Sequence, residues 1–525
     1  MNKLTHIQIE TTATVDWMRS HALGAKLSSD SRQITAGDIF FAFSISEKTG
    51  DGRLHIKSAI DNGAAAIVFD PKDFSWDASI TLPHLSVTQL GDKLGLIANA
   101  WFGHADRDMF TVAVTGTNGK TSCSQWIARA LSLIESPCAV IGTLGAGNYR
   151  AGIAEDLIET GFTTPDAIQL QQRISELHGA GACSLAIEAS SIGLQQGRLN
   201  GLHVDVALLT NLTRDHLDFH VDMASYAEAK TILFDWPHLK TAVVNLDDDY
   251  GMQLAQRCQL KAAQEQPGLR VVGYSLEHKE HANAEVIYAS HLRTHHAGTH
   301  FHVDSPFGSG LVKIQMIGRF NVSNILGVLS VLLVKGIAWN KAVNVIEKLT
   351  SVPGRMQQLG SAGHAMVVID YAHTPDALEK MLLTLQQVAN ERQGELWCVF
   401  GCGGDRDPGK RPQMGKLSEM AQHVVVTSDN PRTENPALII QDILKGMSIT
   451  PQVIEDRANA ILFAIRHAGN NDVVLLAGKG HETYQDINGK KWPFSDEQHA
   501  LLALATVATS SSTKSAVSSS VKRGI

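Results

Sequence analysis

The sequence predicts an α/β protein built from three successive domains, and three observations carry that prediction. Its 525 residues are too many for one core and suit roughly three or four domains. Short apolar, β-branched runs recur along the chain, and each gives way at its carboxyl end to a polar cluster. Between these runs lie stretches with apolar residues at helical spacing, the alternation expected of a parallel sheet covered by helices. In such sheets ligands bind outside the carboxyl ends of the strands, so the polar clusters mark where a ligand belongs.

Composition narrows the class. A content of 44% hydrophobic and 19% charged residues is that of an ordinary globular protein. A net charge of -8 argues against a nucleic-acid-binding surface and leaves small anionic ligands to local sites. The opening MNKLTHIQIETTATVDW has no apolar core of signal-peptide length, and no stretch of about 18 apolar residues follows, so a cytoplasmic chain without membrane insertion is expected. Cys123, Cys138, Cys183, Cys258, Cys398 and Cys402 form no C-x-x-C pair and sit mostly in apolar runs, as buried reduced thiols rather than zinc ligands.

Residues 1–103 form a first, small α/β unit. In DGRLHIKSAIDNGAAAIVFD an amphipathic helix leads through a Gly turn to the strand Ala66–Phe69. Ser29–Arg32 before a strand and Asp51–Arg53 before a helix read as turn and cap chemistry.

The central unit, residues 104–350, opens with TVAVTGTNGKT running into SCSQWIARALSLI. Strand, glycine loop and helix follow one another. Gly116 and Gly119 let the backbone turn its N–H groups toward an anion, Lys120 adds a positive charge, and Thr121 offers a hydroxyl to Mg²⁺. The first glycine of G-x-x-x-x-G-K-[ST] falls at Val114, so this is a short variant of the phosphate-binding loop. Further strands end at Glu188–Ser191, at Thr210–His216 and at Asn245–Asp248. Glu188 is placed to hold the Mg²⁺ of a nucleotide, a helix N-cap being the alternative. His216 and His220 lack the Glu of H-E-x-x-H and do not read as a zinc pair. Lys230, in YAEAKTILF, reads from its pattern alone as part of a solvated helix face. Residues 278–302 carry seven histidines, yet GTHFHVDSPFG alternates as a half-exposed strand does. Asn321 and Asn324 open an apolar helix; one can cap it, and two amides there also suit a nucleobase edge.

A Pro-Gly hinge, SVPGRM, starts the third unit, residues 351–508. Four strands lead to DYAHTPD, GCGGDRD, SDNPRTE and GKGHE, which bring acids, arginines and glycine turns to one edge, where a zwitterion finds complementary partners. Ser495 and Gln498 form a capping box for a last helix to about Val507, and the Ser-rich tail 509–525 is expected to be disordered.

Taken in order, TGTNGKT, EASSIGL, TNLTRDHLDFH, NLDDD, GRFNVSN, PGRM, DYAHTPDALEK, GCGGDRDPGKRP, SDNPRTENP and AGKGHE resemble the Mur ligase family of peptidoglycan synthesis over nearly the whole chain before the tail. DNPR at Asp429–Arg432 resembles the signature of the diaminopimelate-adding members. The resemblance implies an N-terminal domain for a uridine nucleotide, a central P-loop ATPase domain and a C-terminal Rossmann-like domain for the incoming amino acid. It implies an ATP-dependent amide ligase that adds meso-diaminopimelate to the D-Glu of UDP-N-acetylmuramoyl-L-Ala-D-Glu through an acyl phosphate, in the cytoplasm, as a monomer.

By the same resemblance, Gly116, Thr117, Asn118, Gly119, Lys120 and Thr121 cradle the ATP phosphates, and Thr121, Glu188, His216 and Lys230 serve Mg²⁺. Lys230 matches a lysine carbamylated in this family; with Lys120, Glu188 and His216 it makes up the catalytic set. Asn321 and Asn324 match adenine-side positions, while Arg355, Asp370 and His373 match residues that meet ATP from the hinge and third domain. Ser31, Thr163, Thr164, Ser190, Gln196 and Arg198 match positions for the muramyl substrate; Arg406, Asp429, Asn430, Pro431, Arg432, Gly478 and Glu482 match positions for diaminopimelate. Three departures stand out: Ile192 replaces a histidine in SSHGL, Phe162 replaces an Asn before Thr163, and Ser44–Gly50 lacks the usual loop. The rival readings are an L-lysine-adding or folylpolyglutamate-type ligase, opposed by Asp429–Arg432 and by the C-terminal clusters, and a nucleotide-dependent switch that ligates nothing and needs no zwitterion site.

Overall fold

The computed structural model describes residues 3–46, 50–135, 137–217, 219–281, 284–295, 298–360 and 364–507. The tail and part of Ser44–Gly50 lie outside them. Among the described residues, three main sheets follow one another along the chain, each α/β in build.

The first is a four-stranded parallel sheet made by Leu27–Ser28, Ile39–Ala42, Ala66–Phe69 and His84–Ser86. Ile39–Ala42 and Ala66–Phe69 are buried along their whole length, as parallel strands covered on both faces must be. Asp30 and Asp51 cap short 3₁₀ turns with their side chains, which is the turn chemistry expected there.

The second sheet has eleven strands. Its parallel centre runs in the order Cys138–Gly142, Ser184–Glu188, Phe110–Thr115, Val206–Leu209, Thr241–Asn245, Arg270–Ser275 and Glu285–His295, flanked by antiparallel strands at both edges. Phe110–Thr115 lies between Ser184–Glu188 and Val206–Leu209, so the loop after it opens between two later polar clusters. The histidine-rich segment supplies Gly298–Ser305, whose inward Thr299, Phe301 and Val303 are buried. Two helices, Lys120–Ile134 and Arg319–Val334, close one face over a common core that includes Trp126, Ile127, Leu326 and Leu329.

One local expectation is corrected. The helix Arg319–Val334 is entered through Gly318 at φ 96°, and no side chain caps it. Asn321 instead donates from Nδ2 to the Ile317 carbonyl at 2.8 Å, and both asparagines are buried inside the first turns.

The third sheet runs in the order Gln357–Leu359, Met366–Asp370, Val473–Ala477, Leu396–Phe400, His423–Val426 and Gln452–Val453, all parallel but the first. Its last helix covers 496–507, and Gln498 N–H donates to Ser495 Oγ at 3.4 Å, half of the expected box. No described helix is long and apolar enough to cross a membrane.

Candidate active site

The glycines of the phosphate loop are fixed by what lies behind them. Gly116 has φ 144°, and a Cβ there falls 1.9 Å from Thr210 Oγ1; Gly119 has φ 89°, and a Cβ there falls 2.6 Å from Asn324 Oδ1. Close approach and backbone conformation both demand glycine. Asn324 therefore packs directly beneath the loop. Around it, Thr117 N–H donates to the Asn211 carbonyl at 2.9 Å and Asn118 N–H to Asn211 Oδ1 at 3.0 Å.

Two lysines converge on this loop. Lys120 Nζ donates to the Gly116 and Thr117 carbonyls at 2.8 and 2.9 Å, and Lys230 Nζ to the Gly116 carbonyl at 3.0 Å. Lys230 is only 1% exposed, which corrects the solvated-face reading of its helix, Met223–Thr231. Its Nζ also lies 4.3 Å from the centre of the Tyr226 ring. Burial, then the neighbouring Lys120 charge, hold its amine well below the usual lysine range, with Asp215 opposing.

Glu188 ends its strand with no exposed surface. Thr121 Oγ1 donates to its Oε2 at 3.0 Å, Thr143 Oγ1 to the same oxygen at 3.1 Å, and Thr143 N–H to Oε1 at 2.8 Å. A buried carboxylate met only by hydroxyls and an amide, with no ion pair among the described residues, is a setting that suits a hard cation. His216, at φ 54°, lies beside Asp215, Nε2 to Oδ2 being 3.6 Å, and burial pushes its imidazole down to about 4.

Hydrogen bonds extend this cluster to the positions expected to take the muramyl substrate. Thr143 Oγ1 is 3.2 Å from Thr163 Oγ1, and Thr164 Oγ1 donates to the Glu188 carbonyl at 2.8 Å and lies 3.0 Å from Ser190 Oγ. Arg198 donates to the Thr164 carbonyl at 2.8 Å and to Gln196 Oε1, and its guanidinium lies 4.7 Å from the ring of Phe162. Ser31 stands apart. Its described hydrogen bonds, to Asn62 and Ile34, stay within the first sheet's unit.

The third unit meets the second along their strand ends. Arg355 Nη2 donates to Thr121 Oγ1 at 3.2 Å, Asn118 Nδ2 to Asp376 Oδ2 at 3.1 Å, and His373 Nε2 is 3.9 Å from Asp215 Oδ2. Arg214 and Asp407 add an ion pair at 3.7 Å. Arg355 also lies 4.4 Å over Tyr371, and Asp370 Oδ2 accepts from the Met356 N–H at 2.8 Å while burial raises its carboxyl above the usual range. The carboxyl ends of both sheets thus face one gap.

On the same edge of the third sheet, Asn430 Nδ2 donates to Glu482 Oε2 at 2.8 Å, and Arg432, at φ 51°, donates from Nη1 to the Gly404 carbonyl at 2.6 Å. A Cβ on Gly478, whose φ is 114°, falls 2.5 Å from Asp429 Oδ2. The Pro431 carbonyl packs against Gly404. Arg406 is exposed beside them.

Sequence reasoning missed Asp215, Thr143, Asp376, Lys479, His481 and the buried pair Arg457–Asp496, whose guanidinium donates from Nε and Nη2 at 2.8 and 2.7 Å. Lys479 and His481 lie within GKGHE, but no spacing rule marks a residue whose partner lies across the sheet.

Two family models match the chain: the Mur ligase middle domain over residues 114–332 and the Mur ligase glutamate ligase domain over residues 354–480. The UDP-N-acetylmuramoyl-L-alanyl-D-glutamate–2,6-diaminopimelate ligase of Janthinobacterium sp. (strain Marseille) is 55% identical over 495 residues, 94% of this chain and 96% of that protein. The enzyme of the same name from Ralstonia nicotianae is 49% identical over 502 residues, covering 94% and 95%. A solved structure of a UDP-N-acetylmuramoyl-L-alanyl-D-glutamate–2,6-diaminopimelate ligase matches with a TM-score of 0.65 and 37% identity over 92% of this chain and 95% of that one.

Proposed function

The chain belongs to the Mur ligase family, and we infer that it joins meso-diaminopimelate to the D-Glu carboxylate of UDP-N-acetylmuramoyl-L-Ala-D-Glu at the expense of ATP, in cytoplasmic peptidoglycan precursor synthesis. The observation that carries this reading is the facing of two strand-end clusters: the phosphate loop with Glu188 on one side, and Arg355, His373 and the Asp429–Glu482 network on the other. A switch that only hydrolyses ATP has no use for the second cluster. We take residues 1–103, 104–350 and 351–508 as the uridine-nucleotide, ATP and amino-acid domains. Since one chain supplies both halves of the gap, a monomer suffices.

In the first step the D-Glu carboxylate oxygen attacks the γ-phosphorus, the bond to the β-phosphate oxygen breaks, and ADP leaves an acyl phosphate. The N–H groups and Lys120 of Gly116–Thr121 cradle the phosphates, and Arg355 adds positive charge from across the gap. In the second, a neutral amine of diaminopimelate attacks the acyl carbon, the tetrahedral intermediate collapses as its C–O bond to phosphate breaks, and the proton lost by the nitrogen leaves with the phosphate as hydrogen phosphate, giving the amide. Thr121, Glu188, His216 and Lys230 would hold Mg²⁺, which when bound neutralises charge built up during phosphoryl transfer. The depressed basicity of Lys230 keeps its amine available to take up CO₂ as a carbamate, turning a cation into a carboxylate-like ligand. Ser31, Thr163, Thr164, Ser190, Gln196 and Arg198 hold the muramyl substrate, while Asn321 and Asn324 support the adenine side. Arg406 and Arg432 meet the distal carboxylate of diaminopimelate and Asp429 and Glu482 its ammonium.

Mass spectrometry of the product tests this reading. The expected result is a UDP-muramyl tripeptide heavier by diaminopimelate less one water, with one ADP per amide. ADP release with the dipeptide substrate unchanged in mass overturns it.

A further inference from the structure

Lys479 lies on the loop after Val473–Ala477, and its side chain has no exposed surface. Its Nζ donates to Asn430 Oδ1 and to Glu482 Oε2, both at 2.9 Å. Asn430 is fixed from both ends, since its Oδ1 also accepts from the Asp486 N–H at 3.0 Å and its Nδ2 donates to Glu482 Oε2 at 2.8 Å. One oxygen of Glu482 is thus saturated by an ammonium and an amide, and among the described residues no donor is recorded on Oε1. A buried ammonium is costly to desolvate, so its presence beside a ligand-facing acid needs a reason.

The charge of the pocket supplies one. Asp429 Oδ2 lies 3.9 Å from Arg457, which is itself paired with buried Asp496. Asp429, Glu482, Asp486 and Asp496 contribute four negative charges, and Arg406, Arg432, Arg457 and Lys479 four positive ones, so this set is neutral. Without the Lys479 charge it carries one net negative charge. The far end of diaminopimelate holds an ammonium and a carboxylate and is itself neutral, whereas that of L-lysine is a bare ammonium. A neutral pocket suits the first and a negative one the second, and like charges sharing one carboxylate repel more strongly away from water.

We propose that Lys479 is a specificity-determining residue: its buried ammonium takes the cationic place on Glu482 Oε2 and thereby disfavours an amino acid whose distal end is a lone cation. The proposal rests on the ligase reading above.

The test measures kcat/KM for meso-diaminopimelate and for L-lysine with the full-length wild type, Lys479→Gln and Lys479→Arg. Glutamine retains donors for Asn430 and Glu482 but not the charge; arginine retains the charge. Lys479→Gln is expected to lower the diaminopimelate-to-lysine ratio at least about tenfold, with KM for ATP and for the muramyl substrate within about twofold of wild type, while Lys479→Arg keeps the wild-type ratio to within about threefold. A merely structural role lowers all the constants together and leaves the ratio in place. An unchanged ratio in Lys479→Gln overturns the proposal, and Lys479→Met serves as the neutral variant should glutamine not fold. A wild type that uses neither amino acid overturns the ligase reading instead.

Discussion

Arg355 Nη2 donates to Thr121 Oγ1 at 3.2 Å, so a residue of the hinge after the central domain touches the hydroxyl that also donates to Glu188 Oε2. One guanidinium therefore connects the third domain to the phosphate loop. Its long side chain is held by the Tyr371 face, 4.4 Å away. Arg355→Ala is expected to lower kcat about a hundredfold while leaving thermal stability within a few degrees, because in the proposed reaction it removes positive charge beside the phosphate loop. Steady-state kinetics and a melting curve check both halves.

Gly119→Ala is expected to abolish measurable ATP binding by calorimetry. Its Cβ must enter Asn324 Oδ1 at 2.6 Å, at a φ of 89° that alanine adopts only under strain of about 1–3 kcal/mol. Binding of ATP at wild-type affinity contradicts the packing described here.

Arg457 and Asp496 form a fully buried pair in the third domain. Arg457→Met leaves a buried carboxylate unpaired and is expected to cost about 3–5 kcal/mol in denaturant unfolding, whereas Arg457→Met with Asp496→Leu recovers much of that loss. A double variant no more stable than the single one argues against a closed pair.

His481 is pushed down to about 3 by burial, with the Arg355 and Lys479 charges adding to the effect. The unfolded chain then binds a proton that the folded one refuses between about pH 6.5 and pH 3, so stability falls as pH falls through that window. His481→Gln is expected to show a shallower decline than wild type between pH 7 and pH 5 in the denaturation midpoint. Parallel curves contradict an imidazole held neutral in the folded protein.

Strand ends were the legible part of this chain. Each polar cluster that follows an apolar run in the sequence lies at the carboxyl end of a strand, because a parallel strand buried on both faces must be apolar throughout and can change character only where it stops. Lys230 was legible only by resemblance. Its helix has polar residues on all sides, and the lysine is buried by the phosphate loop, a neighbour more than a hundred residues earlier in the chain. Asp215, Lys479 and Arg457–Asp496 escaped for the same reason, since a charge is buried or solvated according to a partner that periodicity does not reveal. The cap of Arg319–Val334 misled in another way: Asn321 is an excellent capping residue, but Gly318, at a positive φ, starts the helix one turn earlier.

Whether the chain ligates diaminopimelate is decided by phosphate release from the purified protein with ATP, Mg²⁺ and UDP-N-acetylmuramoyl-L-Ala-D-Glu, in the presence of meso-diaminopimelate, L-lysine or no amino acid. Rapid release with diaminopimelate alone is the result expected of the ligase. Release that is equally fast without any amino acid, or faster with L-lysine, contradicts it.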